Sequence, residues 1–135
     1  MRNSKSGSSG NSVRLLLDTQ ILVWLVNGDG RLRREWTARI ADPASELHVS
    51  AVIAFEYTDL QRRNRLPVDE PISELVSRFD MQLASLPTET WQEISKLPDI
   101  HRDPVDRMLI AHALVEGMTL LTADANIRRY PVPFV

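Results

Sequence analysis

The sequence predicts an α/β domain, a parallel sheet of about five short strands flanked by helices. Short apolar runs recur along the chain, and each is followed by a stretch with helical periodicity. Strands that alternate with helices need crossover connections, and these make neighbouring strands parallel and cover both sheet faces. The 135 residues, 43% of them hydrophobic, are enough for one buried core, and no internal repeat divides them.

Each element has a local reason. The first twelve residues, MRNSKSGSSGNS, are polar, Gly/Ser-rich and aperiodic, so 1–12 is expected to be a flexible leader and 13–135 the domain. Val13 to Leu17 reads as a buried strand and Thr19 to Asn27 as a helix apolar almost all round, closed by Gly28. Arg31 to Ala41 is an exposed helix stopped before Pro43. Leu47 to Val49 is a strand running into a helix from Ser50, its N-cap, to about Arg65. Pro71 to about Gln82 predicts a helix, Ala84 to Leu86 a strand, and Thr88 to Lys96 a helix capped by Thr88. Helix Pro104–Glu116, strand Met118–Leu121, a short helix from Ala125 and a final strand Val132–Val135 complete the order.

Composition narrows the function classes. No run approaches the roughly 20 apolar residues needed to span a bilayer, and no signal-peptide core is present, so a cytoplasmic protein with no membrane partner is expected. The chain has no Cys, which excludes disulfides and thiolate metal sites; any metal must bind oxygen or imidazole. The net charge of −2 argues against a general nucleic-acid coat protein. Fourteen of the sixteen basic residues are nevertheless Arg, clustered at Arg31, Arg33, Arg34 and Arg39 and again at Arg62, Arg63 and Arg65. Arg suits phosphate recognition, although a solvated helix face also accounts for each cluster.

Four acids stand out. Asp18 directly follows the first strand and Asp124 follows the strand near Leu121, so both belong at the carboxyl edge of the sheet, where ligands gather in such folds. With Val52 set to zero on its helix, Glu56 falls at about 40°, between Val52 and Ile53 at about 100°, inside the apolar arc. Asp106 shares its helix face with Leu109, Ala113 and Gly117 and points inward. Acids in apolar surroundings need compensation, and a pair of divalent cations would balance these four charges. Structural roles compete. Asp18 and Asp124 are each placed to cap a helix, and Asp103 before Pro104 reads as a cap with Asp106 at the third helical position. Glu56 lies too deep in its helix for capping. Asp59, at the edge of the Glu56 face, is a weaker candidate.

The blocks LLLDTQILVWL, VSAVIAFEYTDL and RDPVDRMLIAHALVEGMTLLTADANIRRY, in this order and spacing, resemble the PIN domain, specifically the VapC type that serves as the toxin of toxin–antitoxin pairs. The resemblance covers residues 13–135 and implies a single PIN-like, Rossmann-like domain. It also implies that Asp18, Glu56, Asp106 and Asp124 bind Mg²⁺ or Mn²⁺ and that Thr19 matches a residue commonly found beside the first acid. The implied activity is a metal-dependent endoribonuclease, usually dimeric, held inactive by a cognate antitoxin. A metal-activated water would displace the RNA strand in line, leaving a 3′-hydroxyl and a 5′-phosphate. The chain departs from many relatives at Gln20 and His112, outside the acidic quartet. His112 is expected to be packed or hydrogen-bonded, and His48 and His101 are poor ligands for a hard cation.

Other classes fit less well. A phosphate-accepting receiver would want paired acids at the first strand and a late Lys, an aspartyl-phosphate phosphatase a second acid at position 20, and a dinucleotide-binding domain a Gly-rich first turn. The alternative that survives is a catalytically idle PIN-like module that binds RNA or protein.

Overall fold

The computed structural model describes residues 12–100 and 103–135. The expected leader up to Asn11, and His101, lie outside the described residues. In chain order the elements are β1 (Val13–Leu17), α1 (Thr19–Asn27), α2 (Arg34–Ala41), β2 (Ser45–Ser50), α3 (Ala51–Arg62), α4 (Ile72–Arg78), β3 (Gln82–Ala84), α5 (Thr90–Ile94), α6 (Pro104–Glu116) and β4 (Thr119–Leu121), then a 3₁₀ turn at Ile127–Arg129. The four strands pair in parallel in the order β3-β2-β1-β4. Leu15, Leu16 and Leu17 of the central strand β1 and Leu120 and Leu121 of the edge strand β4 have no exposed surface, so the sheet is covered on both faces here.

The sheet has four strands, where about five were expected. The last expected strand, Val132–Val135, is reduced to one bridge between Leu120 and Phe134. There the Leu120 N–H donates to the Pro133 carbonyl and the Val135 N–H to the Leu120 carbonyl, both at 2.9 Å. Pro131 and Pro133 have no N–H, so the ladder stops. Helix α2 begins at Arg34 instead of Arg31, because residues 29–31 close a turn on the Asp29 side chain. Helix α4 ends at Arg78. Asp80, at φ 53°, then turns the chain into β3 two residues earlier than predicted. Helix α5 is shorter than its sequence pattern and starts after Glu89 with no side-chain cap, so Thr88 does not cap it.

Caps set several remaining boundaries. Ser50 Oγ accepts from the Val52 N–H at 3.2 Å at the start of α3, and Asp103 accepts from the Val105 and Asp106 N–H groups at the start of α6. Gly28 and Gly117, both left-handed, end α1 and α6. Among the described residues no helix is long and apolar enough to cross a membrane.

The topology places the site. From β1 the chain moves outward through β2 to β3, then returns to the other side of β1 as β4. The carboxyl ends of β1 and β4 therefore flank the point where the strand order reverses, and a crevice opens there in folds of this kind.

Candidate active-site cleft

A cleft of about 640 Å³ opens at that point, lined by Asp18, Glu56, Asp106 and Asp124. The structure thus brings together the four acids singled out in the sequence, each from a different segment. Leu17 pairs with Leu121, and the Asp18 N–H donates to the Leu121 carbonyl at 3.2 Å, so the first residue beyond β1 is fastened to the end of β4. Glu56 comes from α3, and Ile53 and Leu60 line the cleft beside it. The arc read as core-facing is therefore the arc that faces the cleft. Asp106 occupies the first turn of α6, held in place by the Asp103 cap.

Asp18 is both a cap and a cleft acid. Its Oδ1 accepts from the Ile21 N–H at 3.1 Å, and its Oδ2 accepts from the Thr122 hydroxyl. Only 6% of its surface is exposed. Burial is the main reason its pKa rises to about 6. The Thr122 and Ile21 hydrogen bonds oppose the rise, and repulsion from Asp106 and Asp124 adds to it. Glu56 is half-buried, and its Oε1 accepts from the Thr19 hydroxyl, which ties α3 to the first turn of α1. Asp124 caps a turn and not an α-helix: its Oδ1 accepts from the Asn126 N–H at 2.8 Å. Its own N–H donates to Thr122 Oγ1 at 3.0 Å.

Thr122 was not singled out in the sequence. Fully buried, it links Asp18 to the Asp124 backbone through one hydroxyl. The available signal was a hydroxyl residue between a strand and an acid two positions later. Asp59 instead pairs with Arg62 and Arg63 on the helix surface. His112 is buried away from the cleft, 2.9 Å from Ser50 Oγ, as a packed, hydrogen-bonded histidine. Gln20 is exposed and lines the cleft. One residue from each Arg cluster, Arg31 and Arg65, also lines it.

The donor set suits a hard cation. Asp18, Glu56, Asp106 and Asp124 offer carboxylate oxygens on the cleft wall. Among the described residues, no three acidic or histidine side chains are gathered closely enough to hold a metal ion by themselves. A cation here would keep several waters or take substrate oxygens, as Mg²⁺ prefers. Burial first, and then repulsion from Asp106 and Asp124, raises the Asp18 pKa, and a cation here would offset both.

The fold and this cleft describe an α/β domain with an acidic site at its switch point. The family model of the PIN domain matches residues 15–133, and the chain belongs to that family. Ribonuclease VapC22 of Mycobacterium tuberculosis is 26% identical over 124 residues, covering 88% of this chain and 95% of that protein. A chain of VapBC2 from Rickettsia felis, solved bound to a DNA fragment from the promoter, superposes with a TM-score of 0.65 at 14% identity, covering 91% of this chain and 98% of its own. Mycobacterium tuberculosis VapC20, described as a toxin that cleaves the sarcin-ricin loop, has a TM-score of 0.58 at 15% identity, with coverage of 84% and 92%.

Proposed function

We propose that this chain is a Mg²⁺- or Mn²⁺-dependent endoribonuclease and the toxin of a toxin–antitoxin pair. One observation carries the reading: four acids from separate segments line one cleft at the switch point, and the most buried of them has its pKa raised to about 6. Likeness to Ribonuclease VapC22 supports RNA as the substrate.

Asp18, Glu56, Asp106 and Asp124 would hold the cation. The chemistry a bound cation supplies is neutralisation of the scissile phosphate and a lowered pKa for the attacking water. The protein's own part is positional. Thr122 and the Ile21 N–H fix both oxygens of Asp18, and Thr19 fixes one oxygen of Glu56. Asp124 lies on a turn held by Thr122, and if it meets the cation only through water it would orient the attacking water. Water attacks phosphorus in line and the P–O3′ bond breaks. The water's proton leaves and the departing oxygen is protonated, giving a 3′-hydroxyl and a 5′-phosphate. Arg65 at the cleft wall favours an anionic strand near the acids.

Purified protein is expected to cut single-stranded RNA in Mn²⁺ and to stop on addition of EDTA. RNA that stays intact in both would favour the idle binding module instead.

The partner follows from the likeness to VapBC complexes. A small antitoxin is expected to bind at the cleft and place an apolar helix, and a basic side chain, against its acids. The toxin itself is expected to be a homodimer. Expression alone should arrest growth, and co-expression of the neighbouring gene should restore it. Growth unaffected by the chain alone would remove the toxin assignment, and a monomer mass by light scattering would remove the dimer.

A further inference from the structure

Beside the acids, Trp24 and Arg31 on the cleft wall belong to an ordered stack of cations and indoles that the proposed chemistry does not use. Trp24 and Trp36 stack with ring centroids 6.1 Å apart and planes inclined by 25°. The Arg33 guanidinium lies 4.0 Å from the Trp36 ring centre, and that of Arg31 lies 5.4 Å from the Trp24 ring centre. Trp36 is buried, and its indole N–H donates to the Val135 carbonyl at 3.1 Å, so the inner end is fixed. Trp24 and Arg31 both line the cleft.

Local structure holds Arg31 in place. Gly28, at φ 60°, lets the chain fold back so that the Asp29 N–H donates to the Trp24 carbonyl at 2.9 Å. The Asp29 carboxylate then accepts from the Arg31 backbone N–H at 2.9 Å, from Nε at 3.1 Å and from Nη2 at 2.7 Å. A bidentate carboxylate clamp of this kind fixes the plane of a guanidinium and neutralises its charge. The clamp engages Nε and Nη2 within the guanidinium plane, and the side chain stays mostly exposed. Flat guanidinium or indole faces are where unpaired nucleobases stack.

We propose that Arg31, backed by Trp24, is a stacking platform that positions an unpaired nucleobase of the RNA strand beside the acidic site. This rests on the ribonuclease reading. Arg31 is then a positioning residue: it sets where the strand lies in the cleft and takes no part in the displacement.

The test compares binding of a fluorescein-labelled 20-nucleotide oligoadenylate with that of an abasic RNA strand of equal length, by fluorescence anisotropy with Ca²⁺ in place of Mn²⁺. Both strands carry the same phosphates and differ only in their bases. Wild type is expected to prefer the oligoadenylate by roughly tenfold. Arg31→Lys keeps the charge and loses the plane, so it should retain the abasic affinity and lose most of the preference. Trp24→Leu should do the same, and the exposed Arg31→Lys variant keeps the question answerable if Trp24→Leu fails to fold. Equal wild-type affinity for the two strands, binding of neither, or an Arg31→Lys variant weakened equally on both would overturn the platform. Cleavage of RNA in Mn²⁺ by the same wild-type preparation keeps that failure separate from failure of the ribonuclease reading.

Discussion

Asp18→Asn is expected to lower RNA cleavage in Mg²⁺ by at least about 100-fold, a loss larger than the 10- to 100-fold typical of removing a supporting partner. The substitution keeps the shape of the side chain. Its amide oxygen can still accept from the Ile21 N–H, and Thr122 Oγ1 can accept from its NH₂ group, so α1 keeps its cap. What goes is the charge at the most buried position of the cleft, where a hard cation would need a carboxylate oxygen. Asp106→Asn should lose activity similarly while leaving the Asp103 cap of α6 in place. Initial rates on a labelled RNA, with circular dichroism as the control for folding, decide the matter. A folded Asp18→Asn protein that cut at the wild-type rate would show that Asp18 serves only as a cap.

Thermal unfolding should respond strongly to Mn²⁺. If the native cleft binds the cation and the unfolded chain does not, a concentration 100 times the Kd adds about 2.7 kcal/mol, or roughly 10 °C in Tm for a domain of this size. Asp106→Asn should melt at or above the wild-type temperature in EDTA, because it removes a charge that repels Asp18, and should lose most of the gain from Mn²⁺. An equal Mn²⁺ shift in wild type and variant would mean that the acids do not share one metal site.

The pH dependence in EDTA has a fixed sign. Asp18 has a folded pKa of about 6 against an ordinary 3.8, so between those values the folded state binds more protons than the unfolded one. Its contribution to stability is therefore most favourable below about pH 4 and is lost as pH rises towards 6, by on the order of 3 kcal/mol in all. Asp18→Asn should flatten that part of the profile. A wild-type profile with no fall attributable to Asp18 between pH 4 and 6 would show that the carboxyl is not held protonated by burial.

Element type and order were legible because period and caps are local properties. The helical pattern of α3 and α6, the nearly all-round apolar α1 and the apolar run of β1 sit in the sequence, as do Ser50, Asp103, Gly28 and Gly117 at the helix ends. Boundaries failed where a side chain or a missing donor overrode the pattern. Asp29 drew residues 29–31 into a turn, and two prolines cut the last strand to a bridge. The apolar arc of α3 places Glu56 beside Val52 and Ile53, and both of these are buried in the core; only the tertiary structure shows that the same arc also borders a cleft.

The sequence by itself determined the fold class, the placement of Asp18 and Asp124 beyond strand ends, and the helix faces that carry Glu56 and Asp106, since each follows from spacing along one element. Only the tertiary structure decided which strands are neighbours, and hence that β4 returns beside β1 and brings Asp124 and Thr122 to Asp18 across more than a hundred residues of chain. Strand order depends on long-range packing and leaves no periodic trace. For the same reason the roles of Thr122, Trp24 and Arg31 were out of reach of the sequence: each depends on which side chain meets it in space, through a shared hydroxyl, a stacked ring or a carboxylate clamp.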